Sequence, residues 1–233
     1  MLHQYNYRET SQILEVFTKN LGRLSIMAKG ARRPQKKSGR LYIRPFQQYR
    51  FSWTGKSDLP TLVAAEEVAP SAELSGIAIY CGFYINELLM RMVHKHDPHE
   101  RLYRIYDESM QRLASGRELE ASLRLFEKYL LLESGYALNL EHEGGSANPL
   151  QAQTVYRYLP DQGAVPVTAS EDASSYITVR GQTLIAYNND QLDNPETLRE
   201  IKQLMRNVID HMLGFRPLAS RRMFAAGRLQ KRP

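Results

Sequence analysis

Twelve cationic side chains fall within the first 56 residues: Arg8, Lys19, Arg23, Lys29, Arg32, Arg33, Lys36, Lys37, Arg40, Arg44, Arg50 and Lys56. Glu9 and Glu15 alone oppose them, so this segment carries +10 while the whole chain carries +6 and the remainder therefore −4. A block of this kind points to contact with a polyanion, because every phosphate neutralised by Lys or Arg releases condensed counterions. Arg23, Lys29, Arg32, Arg33, Lys36, Lys37, Arg40 and Arg44 are the expected nucleic-acid phosphate contacts. The competing reading is solvated charge that keeps a loop soluble. Tyr42, Phe46, Tyr49, Phe51 and Trp53 interleave with Arg40, Arg44 and Arg50. Cations that follow a single-strand backbone combine well with flat rings that accept its bases, at about 1 to 3 kcal/mol per stacked base. Phe46, Phe51 and Trp53 equally suit the interior of a barrel, and no ring is assigned to stacking from sequence.

The search for bond-making chemistry yields little. His94 and His96 lie two apart at a helix end and point to different sides, which with His99 makes poor metal-chelating geometry. Glu66 and Glu67 are neighbours at a strand end and face opposite ways, unlike a paired acid and base. Gly144-Gly145 lacks the Gly-Lys-Ser/Thr ending of a phosphate-binding loop and reads as a turn. A nuclease would need clustered carboxylates for metal ions, and the basic segment has none. No catalytic residue, metal or cofactor is assigned.

Cys81 is the single cysteine. It lies on an apolar helix stripe, where a free thiol behaves as a small hydrophobe, and by itself it permits neither an internal disulfide nor a multi-cysteine zinc site. Nowhere do about 18 uninterrupted apolar residues occur, as a membrane span requires. The first twenty residues include Arg8, Glu9, Glu15 and Lys19 and do not read as a secretory signal. A cytoplasmic protein is expected.

The elements that must position the basic block follow from hydrophobic period. Gln12 to Phe17 and Arg23 to Met27 alternate as strands around a hairpin turn at Asn20-Leu21-Gly22. Further runs at Leu41 to Trp53 and Leu59 to Val68 bring the count to about five, which suits a small, partly open OB-type barrel over residues 1–70. Gly30 to Arg40 should be a loop. From 71 to 233 the period becomes helical. Leu74, Ile77, Ala78, Cys81, Tyr84, Ile85, Leu88, Leu89, Met92 and Val93 share one face, and helices are expected over His99 to Leu113 and Glu118 to Glu133, the latter closed by Gly135. A fourth carries Leu198, Ile201, Leu204, Met205, Val208, Ile209, Met212 and Leu213. Residues 141 to 191, with Gly144-Gly145, Asn148-Pro149, Gly163 and Asn188-Asn189, read as an irregular insertion with strand-like pieces at Val155 to Leu159 and Tyr176 to Val179. The fold class is thus α+β: an N-terminal OB-fold β-barrel followed by a mainly helical domain.

Val16-Phe17-Thr18, Gly22-Arg23, Ala28-Lys29-Gly30-Ala31-Arg32 and Arg44-Pro45-Phe46 resemble the N-terminal signature of the RecO DNA-repair family. Leu74-Ser75-Gly76-Ile77, Tyr84 to Leu89, Leu123-Arg124-Leu125-Phe126-Glu127, Gly135-Tyr136, Tyr156-Arg157-Tyr158 and Ser220-Arg221 resemble its helical landmarks in the same order, so the likeness covers nearly the whole chain.

The resemblance implies binding to single- and double-stranded DNA without sequence specificity, annealing of complementary strands, and work with RecR, and often RecF, in loading RecA onto DNA coated by single-strand-binding protein. It also implies recognition of the acidic, Phe-ending tail of that coating protein, for which Arg124, with Leu123 and Phe126, is the candidate site. An internal salt bridge from Arg124 to Glu120 or Glu127 is the alternative. The family setting is cytoplasmic and nucleoid-associated. Some members carry a four-cysteine zinc element in the insertion, but residues 141 to 191 here contain no cysteine. An RNA-binding OB protein of translation or ribosome maturation is the rival reading, since phosphate contacts do not distinguish RNA from DNA.

Overall fold

Strand period in the first third produces a five-stranded sheet: β1 His3–Tyr7, β2 Ser11–Thr18, β3 Gly22–Ala28, β4 Tyr49–Thr54 and β5 Thr61–Glu67, ordered β1-β2-β3-β5-β4. The computed structural model describes residues 1–32, 43–68, 73–168 and 177–229. Antiparallel register sets Leu14 opposite Ile26 and Val16 opposite Leu24, so cross-strand apolar pairs line one face. These residues, with Ala28 and Ile43, form a core against which Tyr49, Phe51, Trp53, Leu62 and Ala65 pack. β3 meets β5 in parallel at Met27 and Thr61, while β4 and β5 run antiparallel with a register shift between Ser52 and Trp53.

Two expectations for this region change. The barrel is not closed: β1 spans five residues, all paired with β2, and no described residue joins β1 to β4. Such a short edge strand has no length left to turn and reach the far edge. The strand expected from Leu41 begins only at Tyr49, because Pro45 lacks an N–H for a ladder and Phe46 takes a left-handed φ of 68°.

Three helices follow: α1 Ile77–Met92, α2 Glu100–Ala114 and α3 Leu119–Glu133. The first buries Ala78, Cys81, Tyr84, Ile85, Leu88 and Leu89, as its apolar stripe requires. The third ends at Gly135, whose φ of 81° lets the Tyr136 N–H donate to the Leu131 carbonyl at 2.8 Å.

The expected irregular insertion is in large part regular. β6 Val155–Leu159, β7 Gly163–Pro166 and β8 Thr178–Arg180 form an antiparallel sheet ordered β7-β6-β8, and α4 runs from Gly181 to Asn188. Tyr156, Ala164, Val179, Leu184 and Tyr187 are buried there. β7 and β8 are too short to show alternation, and α4 has only about two turns. Its first residue must be glycine, since a Cβ on Gly181 would stand 2.0 Å from the Gln151 carbonyl oxygen. α5, Pro195–Met212, carries the expected fourth stripe, and its cap Asn194 accepts from the Glu196 N–H at 2.8 Å. A further helix, α6 Ala219–Leu229, follows it.

The secondary structure changes type near residue 70, whereas the chain divides into compact units further on. The first comprises Met1–Arg117 and Leu218–Pro233, the second Glu118–Pro217.

Candidate nucleic-acid interface

The basic candidates occupy different environments. Lys29 and Arg32 are exposed in the turn after β3, where the Arg32 N–H donates to the Thr10 carbonyl at 2.9 Å. That bond ties Arg32 to the β1–β2 connection. Arg33, Lys36, Lys37 and Arg40, together with Tyr42, lie outside the described residues. Arg44 is exposed, and its guanidinium is 3.5 Å from Glu67; Arg50 lies 3.9 Å from Glu66. Pairs this exposed contribute about 0 to 1 kcal/mol and release their cation readily. The two glutamates, at a strand end, thus trim the basic face of β4. Antiparallel register opposes Arg50 and Glu66 directly, and that register comes from the structure.

Arg23 differs from the other basic residues. Its side chain is 15% exposed, its Nη1 contacts Glu15 at 3.1 Å, and its Nε donates to the Val93 carbonyl at 3.1 Å. Glu15 is buried and also accepts from the Ser25 hydroxyl, while Lys95 donates to Ser25 and sits 3.5 Å from Glu15. A carboxylate out of water needs such partners, and the network ties the β2–β3 hairpin to the segment after α1. The His96 N–H adds a bond to the Arg23 carbonyl at 2.8 Å. Gly22 makes the approach possible: a Cβ there would lie 2.0 Å from the Asp97 oxygen.

Between the sheet and α2 lies a cavity of about 300 Å³ lined by Phe17, Tyr49, Phe51, Tyr103 and Tyr106 among others. Its polar groups bond to one another: Gln48 and Gln111 both donate to Asp107, at 2.8 and 3.0 Å. Tyr106 donates to Asn86 at 2.9 Å, and burial raises its hydroxyl pKa, so it stays a neutral structural donor. Phe51 and Trp53 pack against the core, and Phe46 meets Phe83 edge-on at 5.0 Å between centroids.

In the second unit, α3 places Arg124 with its side chain 6% exposed and 2.8 Å from the fully buried Glu127; Glu120 is 4.0 Å away. The Arg124 carbonyl accepts from the Tyr187 hydroxyl at 2.7 Å. Phe126 is fully buried and Leu123 half-buried. The internal ion pair is therefore formed.

The N-terminal model of the recombination protein O family matches residues 1–70, and its C-terminal model matches residues 74–222. The chain belongs to the RecO family. Curated relatives named "DNA repair protein RecO" include that of Nitrosospira multiformis, 42% identical over 96% of this chain and 91% of the relative. Those of Methylococcus capsulatus and Dechloromonas aromatica are each 40% identical, over 96% of this chain and 90% and 92% of theirs. Membership places the chain among proteins of DNA repair and recombination.

Against this RecO background the charge partition takes on meaning. The first compact unit holds twenty-three Lys or Arg against eleven Asp or Glu, or +12; the second holds eight against fourteen, or −6. No helix among the described residues is long and apolar enough to cross a membrane.

Proposed function

We propose that this RecO-family chain is a recombination mediator that binds DNA through the cationic unit, anneals complementary single strands and, with RecR and, as often in the family, RecF, helps load RecA onto DNA coated by single-strand-binding protein. The partition of charge, +12 against −6, carries the reading. Two strands repel each other, and annealing requires that their charge be screened while the bases remain free to exchange partners. The cationic run that begins at Lys29 and Arg32 supplies that screening through Arg33, Lys36, Lys37 and Arg40, with Arg44 beyond it. Such contacts are electrostatic and sequence-independent. Arg23, held by Glu15, acts in this reading as a strut that fixes the root of the sheet.

Recruitment to coated strands is assigned to α3. Arg124 takes part by exchanging Glu127 for the carboxylate of an acidic tail, with Leu123 and Phe126 framing the site, since a guanidinium accepts either partner in the same bidentate geometry. The setting is the cytoplasm, at the nucleoid.

The test adds the protein last to complementary strands already coated with single-strand-binding protein. Duplex formation well above the uncatalysed rate supports the mediator role; no acceleration contradicts it. A competition arm with RNA of the same sequence separates the rival reading, because preference for RNA would require 2′-hydroxyl contacts. Strand cleavage on adding magnesium would also overturn the proposal.

A further inference from the structure

The rings that interleave with the basic block in sequence are spent inside the fold: Tyr49, Phe51 and Trp53 pack on the core of the sheet, and Phe46 packs on Phe83. Another set of rings stands outside it. β1 reads His-Gln-Tyr-Asn-Tyr, and all five residues pair with β2, at one edge of the sheet. Alternation puts His3, Tyr5 and Tyr7 on one face of that strand, beside Glu15, Ile13 and Ser11 of β2. An edge strand is ordinarily blunted by Lys, Pro or a covering element, because it invites unwanted pairing. β1 has no Lys, Pro or acid, and Tyr5 remains 46% exposed.

The row is held in place. The His3 ring lies against that of Tyr5 at 4.4 Å between centroids, and the Tyr5 hydroxyl reaches the Met90 sulfur of α1 at 3.9 Å. Further along, the Arg8 guanidinium stands 5.3 Å from the centre of the Tyr7 ring. Arg8 is exposed and takes a left-handed φ of 53° in the turn to β2, a conformation that costs a non-glycine residue energy. The same turn receives Arg32, whose N–H donates to the Thr10 carbonyl, and Lys29 follows Ala28, which pairs with Gln12. Three exposed cations, Arg8, Lys29 and Arg32, are thereby brought to the end of the ring row, with Glu9 as the one acid of the turn.

We infer that Tyr5, backed by His3, and Tyr7 form a stacking platform for the bases of a single DNA strand whose phosphates are held by Arg8, Lys29 and Arg32. Aromatic faces take any base while cations track the backbone, which gives binding without sequence preference. Tyr5 and Tyr7, two residues apart on one face, are separated by about 6.8 Å along the strand. That is twice the rise of about 3.4 Å per nucleotide in a duplex strand. Bases laid on the two rings are thus drawn out of their own stack, and their pairing edges are left open to a complementary strand. The inference rests on the DNA-binding reading above and adds where the bases go.

The test measures the affinity of the full chain for an oligothymidylate and for an abasic oligonucleotide of the same length, which keeps the phosphates and lacks the bases. Tyr5→Ala with Tyr7→Ala should lower affinity for the oligothymidylate about 30-fold and leave affinity for the abasic strand within about twofold. The slope of log affinity against log salt should stay the same, because no cation is removed. Tyr5→Phe with Tyr7→Phe should bind as the wild type does. If the alanine pair melts early, Tyr5→Thr with Tyr7→Thr, which keeps strand propensity, replaces it with the same expected loss. Wild-type affinity for the oligothymidylate in the folded variant, the result expected of a row that docks a protein instead, would overturn this inference alone. An equal loss on the abasic strand would overturn it too. A wild-type chain that binds no DNA would overturn it together with the function proposed above.

Discussion

The two compact units spend their arginines and lysines differently. In the acidic unit the cations are largely absorbed: Arg124 by Glu127, Lys128 by Asp190, Arg180 by Glu196 and Glu200, Lys202 by Glu120. In the cationic unit several are absorbed too, Arg23 by Glu15 and Arg91 by Glu87. With twenty-three cations and eleven acids, however, the cations outnumber the acids of their own unit by twelve. The number of basic residues does not locate a polyanion surface; the surplus left after internal pairing does.

Reversing the surplus should cost binding most. Arg32, Arg33, Lys36 and Lys37 changed together to Glu should weaken single-strand affinity by about 100-fold at physiological salt, measured by fluorescence anisotropy, with the melting temperature held.

Removing an absorbed cation should do the opposite. Arg124→Ala leaves Glu127 buried without its guanidinium, at a cost of about 3 kcal/mol. For a chain of this size that lowers the melting temperature by about 6 to 12 °C, while affinity for naked DNA is kept in the folded fraction. By the exchange proposed for α3, the folded variant should also lose affinity for an acidic, Phe-ending peptide, and unchanged peptide affinity in a well-folded variant would remove Arg124 from the docking site.

Gly22→Ala tests the strut beneath the cationic surface. At φ 64° and with Asp97 in the way, the substitution should cost about 2 kcal/mol, and differential scanning calorimetry would read it.

Acidification should loosen α6. Burial opposes ionisation of Glu87, yet the hydrogen bonds from Ser220 and Ala219 and the charge of Arg91 outweigh it and hold its pKa below the ordinary glutamate value of 4.5. A carboxyl lowered in this way contributes stability above pH 4.5, and that contribution is lost as pH falls through the lower folded value. Amide exchange in α6 should accelerate there in the wild type, and Glu87→Gln should show the faster exchange already at neutral pH.

The smallest expected effect is that of a chelator. Melting temperature and DNA affinity should stay the same, since residues 141–191 lack cysteine. One zinc per chain with chelator-induced unfolding would contradict this.

Legibility from the sequence followed element length and charge. The stripes of α1 and α5, many turns long, and the Gln12 to Met27 hairpin could be read, because each repeats its period several times. β7 and α4 could not, for they are too short to repeat, whereas the strand-like pieces read at Val155 to Leu159 and Tyr176 to Val179 match β6 and overlap β8. Helix α6 was hidden by composition, since Arg221, Arg222 and Arg228 mask its apolar contacts. At the site, the basic block was visible as a surplus, but the commitment of Arg23 to Glu15 was not. That pair depends on the β2–β3 register and on Lys95 and Val93 arriving from seventy residues away in sequence.

If phosphate neutralisation by the first unit carries DNA binding, affinity must fall as salt rises. For about five contacted phosphates, log affinity for a single strand should fall against log salt with a slope near −3.5, at about −0.7 per phosphate. The quadruple charge-reversed variant should show a slope shallower by about three contacts' worth. A wild-type affinity independent of salt, or a slope unchanged in the variant, would contradict the claim.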